Sequence, residues 1–220
     1  MQTFDSPATV AATVDIPAGR IQFIAADRTD TTVEVRPADA SKSRDVKAAE
    51  QTTIEFADGV LRVATTVKNQ ILGPSGSVEV TVQLPAGSRV EAKAAGAEVR
   101  GVGRLGEVGF DGAQGVIKLD EAASVRIVTS AGDVTIGRLT GPAEITTAKG
   151  DIRITEATSG TVVLSTQAGN VTVGAAAGVS AALDAGTGYG RVSNSLKNDG
   201  ATELTIRATT GYGDIDAHSL

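Results

Sequence analysis

One phrase recurs through the second half of this 220-residue chain and limits what it can fold into: a threonine, a two-residue bend, a glycine, a short polar residue and an aliphatic strand. It reads Thr129-Ser130-Ala131-Gly132-Asp133-Val134-Thr135-Ile136, then Thr147-Ala148-Lys149-Gly150-Asp151-Ile152-Arg153-Ile154, then Thr166-Gln167-Ala168-Gly169-Asn170-Val171-Thr172-Val173. It returns at Gly190 and Gly213, and weaker copies sit at Gly115 and, with alanine in place of glycine, at Ala97. The anchors step by 18, 17, 18, 19, 21 and 23 residues. A period of this size with short strands in each copy is the signature of stacked repeats.

Aligned on the anchor, the copies form apolar columns. Seven residues before it stand Val90, Val108, Val125, Ala143, Val162, Leu183 and Ile206; five before it, Ala92, Phe110, Ile127, Ile145, Leu164, Ala185 and Ala208. Two after it come Val99, Ile117, Val134, Ile152, Val171, Val192 and Ile215; four after it, Gly101, Leu119, Ile136, Ile154, Val173, Asn194 and Ala217. The residues between these columns are mostly polar, which is the period-two alternation of strands with one face inward. One copy cannot cover its own apolar face, so the copies must stack, with like columns about 4.8 Å apart. The reading is all-β: a parallel β-solenoid (β-helix) of about seven regular coils. Aromatics are only 3% of the chain, which suits a narrow interior filled by branched aliphatics.

Three columns outside the core invite functional readings. Thr129, Thr147, Thr166, Thr187 and Thr210 form a threonine ladder, read as structural hydroxyls bonding between coils at the turn, against a regular hydroxyl array for an ice or polysaccharide surface. After the anchor come Asp133, Asp151, Asn170, Arg191 and Asp214. Calcium is the functional reading of such a column, but the nine-residue glycine-aspartate run of calcium-binding solenoids is missing, so the carboxylates are expected to close turns and no metal is expected. Tyr189 and Tyr212, the only tyrosines, share one column between glycines. They either cover the last coils, where the interior thins, or hold a sugar or a protein; with Arg191 and Arg207 they are the candidate partner-binding residues.

Catalysis has little to stand on. The chain has no Cys, no Trp and one histidine, His218, so nucleophile–base pairs built on Cys or His have no material. Stacked carboxylates such as Asp133 and Asp151 leave a glycosidase-like pair as a weak alternative. No phosphate loop, zinc spacing or dinucleotide fingerprint is present. The chain is read as a non-enzyme with no catalytic residues and no cofactor.

Residues 1–87 have another texture. Val10–Ile16, Arg20–Ala25, Thr31–Arg36, Thr52–Phe56, Val60–Thr66 and Val78–Leu84 alternate as strands, Asp58-Gly59 reads as a hairpin turn, Pro37–Gln51 as a charged loop or one short helix, and Lys68–Gly76 as a second loop. Irregular coils and an antiparallel sheet both fit this region. It is expected to cap the regular repeats of residues 88–220 within the same single domain.

The opening strand closed by Ile16-Pro17-Ala18-Gly19, the phrase Ser77-Val78-Glu79-Val80-Thr81-Val82-Gln83-Leu84-Pro85-Ala86-Gly87, and the repeated Thr-x-x-Gly-Asp-[Val/Ile] ending in Gly211-Tyr212-Gly213-Asp214-Ile215 resemble the bacterial β-strand-repeat proteins catalogued as candidate adhesins (DUF4097), most of all actinobacterial members. The resemblance spans nearly the whole chain. It implies a single-domain β-solenoid and no family catalytic residues.

A formal charge of −6 and a pI near 4.9 argue against nucleic acid. No run of apolar residues is long enough for a membrane span, and residues 1–20 lack the pattern of a secretory signal, so the expectation is cytoplasmic, with surface attachment open to a trimmed chain or an anchoring partner. Three function classes remain: a binding or adhesin-like module presenting flat faces to a protein or glycan, a scaffold self-assembling through its C-terminal coil, and, weakest, a polysaccharide-acting enzyme. The copy at Leu204–Asp216 is expected to be the open end of the stack, a surface for weak homo-oligomerisation.

Overall fold

The computed structural model describes residues 1–66 and 76–220. The loop expected at Lys68–Gly76, with its Gly73-Pro74-Ser75-Gly76 turn, lies outside the described residues except for Gly76. The fold is all-β with one short helix, and it divides into two compact units, Met1–Gly115 and Val116–Leu220. The strands before the anchor at Ala97 therefore group with the N-terminal strands.

The first unit holds β1 (Gln2–Asp5), β2 (Ala11–Ala26), β3 (Asp30–Pro37), α1 (Ser43–Glu50), β4 (Thr52–Ala57), β5 (Val60–Thr65), β6 (Val78–Pro85) and β7 (Arg89–Gln114). Its centre is β2, where two buried alternating runs of opposite parity, Ala12–Val14–Ile16 and Ile21–Phe23–Ala25, flank a break at Gly19. Along one side β2 pairs in parallel with β7; along the other, its first half pairs with β5 and its second with β6, also in parallel. Antiparallel strands are added to this ladder: β3 lies between β1 and β6, and β4 pairs with β5. Both arrangements expected for the N-terminal region are thus present together. The β4–β5 turn is Asp58-Gly59, with φ of 50° and 74°, the positive values that a tight hairpin turn matched to strand twist requires. Helix α1 occupies the charged stretch, and the carboxylate of its buried Asp45 accepts the Ser77 N–H at 2.9 Å.

The second unit is built from the repeat: β8 (Ile117–Ala131), β9 (Val134–Leu139), β10 (Ala143–Lys149), β11 (Ile152–Ala157), β12 (Gly160–Ala168), β13 (Val171–Ala175), β14 (Ala181–Tyr189), β15 (Val192–Ser195), β16 (Leu204–Tyr212) and β17 (Ile215–Ser219). Strands before the anchor form one parallel ladder and strands after it another. Registers follow the sequence columns: Val125, Ala143, Val162 and Ile206 are successive partners, as are Val134, Ile152, Val171 and Ile215. The inward columns are buried to 4% exposure or less from Val125 to Ala217 in every copy but one.

That exception reveals the stacking order. The ladders run β8–β10–β12–β16–β14 and β9–β11–β13–β17–β15, so the copy at 204–217 sits between the copies at 160–175 and 181–195. The expectation that Leu204–Asp216 forms the open end is therefore corrected: β16 and β17 have neighbours on both sides, and β14 and β15 are the outer strands of this unit. The inward columns explain why. In the 204–217 copy they hold Leu204, Ile206, Ala208, Ile215 and Ala217, all buried. In the 181–195 copy they hold Asn194, which is exposed, and Val192, which is 46% exposed. An amide buried in an aliphatic column without partners costs several kcal/mol, about 2–7 depending on the reference, so the copy carrying it belongs where water reaches it.

Candidate binding site on the outer copy of the repeat

The anchor glycines make the site's geometry possible. Gly213 has φ +147°, and a Cβ there would stand 2.0 Å from the Gly169 carbonyl oxygen, so no side chain fits. With the backbones this close, each anchor N–H donates to the carbonyl just before the next anchor: Gly132 to Lys149, Gly150 to Ala168, Gly169 to Tyr212, Gly213 to Tyr189, all at 2.8–2.9 Å.

The polar column beside the anchor forms a ladder of its own. Asp133 accepts the Asp151 N–H at 2.9 Å, Asp151 the Asn170 N–H at 2.7 Å, Asn170 the Asp214 N–H at 2.8 Å, and Asp214 the Arg191 N–H at 2.8 Å. The side chains therefore close the turn of the neighbouring copy rather than their own. Arg191 ends the series because its side chain has no oxygen to accept a further N–H, and its guanidinium donates back to Asp214 at 3.3 Å. The Arg191 N–H, and then its guanidinium, hold the Asp214 carboxyl below the usual carboxylate range. Among the described residues no group of three or more His, Asp or Glu side chains is placed to hold a metal ion.

The threonine column lies just inside this ladder. Thr166, Thr210 and Thr187 donate to the carbonyls of Gly150, Gly169 and Gly213 of the preceding copy, at 2.9–3.1 Å. Thr129 and Thr147 instead donate to the carbonyls of Ala131 and Lys149 in their own turns, at 3.4 and 3.3 Å. Four of the five hydroxyls sit on residues that are nearly fully buried, and Thr187 is half-buried.

The tyrosines stand outside. Tyr189 and Tyr212 are register partners, with rings parallel to within 4° and centroids 4.9 Å apart, close to the spacing between strands. They are 70% and 63% exposed. Arg191 follows two residues after Tyr189 and is held at the same turn. Arg207 is exposed but lies five residues before Tyr212 along β16, about 16 Å away at strand rise, flanked in register by Val163 and Asp184. The structure thus brings together Tyr189, Tyr212 and Arg191 and leaves Arg207 apart. Sequence reasoning missed Asp214 as part of this group; its place in the same column as Arg191 was the available signal.

Beside α1, charges are matched locally. A groove beside α1 is lined by Asp39, Lys42, Arg44 and Asp45 among others. There Lys42 pairs with Asp39 at 3.1 Å and Arg44 lies 3.7 Å from Asp45. The Ser41 hydroxyl and N–H, with Lys42, pull the Asp39 pKa down to about 2. Among the described residues every buried side-chain N or O atom has a partner, and no helix is long and apolar enough to cross a membrane.

Residues 13–219 match the model of the family described as Toastrack DUF4097. No curated protein matches the sequence. Among solved structures, a candidate adhesin from Bacteroides fragilis is similar with a TM-score of 0.54 at 14% identity, over 98% of this chain and 95% of that one. A candidate cell adhesion protein from Clostridium sporogenes has a TM-score of 0.41 at 13% identity over 100% and 98% of the two chains. A candidate lipid-binding protein from Parabacteroides distasonis has 0.44 at 12% over 98% and 95%. At these identities the Bacteroides likeness is one of fold. With the family model spanning nearly every residue, repeat columns included, the chain belongs to the Toastrack DUF4097 family.

Proposed function

We propose that the chain is a non-catalytic, adhesin-like binding module that presents the outer turn of a β-solenoid to a protein or glycan. The observation that carries this reading is the exposed, stacked Tyr189–Tyr212 pair beside Arg191. Exposed large aromatics are the informative exception on a surface, and here they are the chain's only tyrosines. The carboxylates nearest to hand, Asp133, Asp151 and Asp214, are engaged as acceptors of backbone N–H groups, which favours scaffolding over acid–base work. The test is binding of the pure chain to arrays of immobilised glycans and surface-protein ectodomains, beside the Tyr189→Ala/Tyr212→Ala double variant. Specific signals that vanish in the folded double variant are the expected result. Signals indifferent to both rings would refute the site.

A second reading, self-association, is favoured by the outer strands β14 and β15, each paired on one side only within this unit. Association through this edge, rather than through β16–β17, is expected to rise with concentration in light scattering and to fall on Val192→Lys. A chain that stays monomeric at high concentration would eliminate it.

A further inference from the structure

Resting on the binding reading, we propose that the outward face of the Tyr189 ring is a platform for one pyranose ring of a neutral polysaccharide. One face of that ring is turned to Tyr212, parallel within 4°. Tyr189 closes the outermost copy, whose strand β14 has β16 as its partner within this unit, so no further copy stands against the other face. The flanking residues Gly188 and Gly190 raise no side chain to fence it.

The surroundings select the ligand class. A protein partner needs a contiguous apolar centre of interface size, roughly 800 Å² on each side. The other exposed large apolar side chains of this unit are Val116, Val128, Val163, Val192 and Leu220; Val192 alone lies on the outer copy. An isolated flat ring with a polar margin matches a sugar instead, whose C–H face stacks on an aromatic while its rim of hydroxyls takes hydrogen bonds. That margin holds the Arg191 guanidinium, 89% exposed, with N–H donors beyond the one given to Asp214. The Asp214 carboxylate supplies acceptor capacity, and its charge opposes that of Arg191, so the margin carries no net charge from this pair. In a chain of formal charge −6, this favours a neutral sugar over a uronate.

The chain reports on the site by itself: it has no Trp and two Tyr, so its intrinsic fluorescence comes from these two rings. Cellohexaose, maltohexaose and xylohexaose, with an oligogalacturonate as the acidic comparison, would be titrated against the whole chain by tyrosine emission and calorimetry. At least one neutral oligosaccharide is expected to bind saturably with Kd of about 0.1–1 mM. Tyr189→Ala should weaken it at least about tenfold, while Tyr189→Phe, which keeps the ring face, should stay within about twofold. Circular dichroism would verify that each variant is folded. No saturable change with any neutral oligosaccharide up to about 10 mM, binding indifferent to Tyr189→Ala, or tighter binding of the oligogalacturonate would each overturn the proposal. If these arms fail while a Tyr189-dependent protein-ectodomain signal persists on the arrays, the sugar assignment falls and the binding module stands.

Discussion

The order of the copies can be decided by two truncations in one column. Ile215 is 1% exposed and lies in register between Val171 and Val192, whereas Val192, its neighbour on the outer copy, is 46% exposed. Removing a buried isoleucine side chain to alanine costs about 2–5 kcal/mol, so Ile215→Ala should lose about 3 kcal/mol. Val192→Ala removes two methylene equivalents at about 0.8 kcal/mol each, and half-exposure reduces the loss to about 0.8 kcal/mol. For a chain of this size the corresponding fall in Tm is about 6–12 °C against about 2–3 °C. Urea unfolding followed by circular dichroism, with matched slopes, measures both. Ile206→Ala against Leu183→Ala repeats the comparison on the other ladder, where Ile206 is fully buried and Leu183 half-buried. Stacking in sequence order would place Val192 inside and Ile215 at the edge, so a larger loss at Val192 than at Ile215 would refute the arrangement.

Three further outcomes follow from the hydrogen bonds. Thr210→Val, which keeps the shape but removes the 2.9 Å bond to the Gly169 carbonyl, should lower the unfolding free energy by about 1 kcal/mol in urea titration, and Thr210→Ser should recover most of it. Asp39, Asp30, Asp199 and Asp214 all have carboxyls held below their unfolded pKa; their contribution is complete above about pH 4 and is lost as pH falls through the lower folded values. Asp39→Asn should therefore flatten the acid limb of the urea midpoint between about pH 4 and pH 2. Because Asp133, Asp151 and Asn170 spend an oxygen on the next copy's N–H, a chelator should leave Tm unchanged, and a calcium-dependent rise beyond about 5 °C would overturn that account.

Register was legible in the sequence because period-two burial allows one answer: shifting Ile152 by a residue would put Arg153 inside. Stacking order was not read correctly, because chain order is the simplest assumption for repeats and every copy looks interchangeable column by column. Two residues carried the correction in plain view. Arg191 lacks the oxygen that a ladder member must offer the next copy, and Asn194 places an amide in an aliphatic column; both mark a copy with one neighbour. In the first unit, alternation located most of the strands, but it missed β1 and split the single strand β2 into Val10–Ile16 and Arg20–Ala25 where its burial parity changes; nor could parallel and antiparallel partners be told apart, since a half-buried strand has the same pattern beside either. The candidate group was visible as paired tyrosines, but the ion pair joining Arg191 to Asp214 depends on two residues 23 apart being brought together by the insertion of β16 and β17.

That insertion also sets a timetable for biosynthesis. Translation delivers residues 181–195 before 204–219, yet their partners β16 and β17 do not exist until the later segment emerges, and β12 and β13 likewise wait with one side unpaired. The late segment must come to lie between the 160–175 and 181–195 copies and pair with both, a step dominated by contacts distant in sequence and slow for that reason. Deleting residues 204–219 would consequently remove the ladder partners that β14 and β15 have in the full chain, and Tyr212 with them.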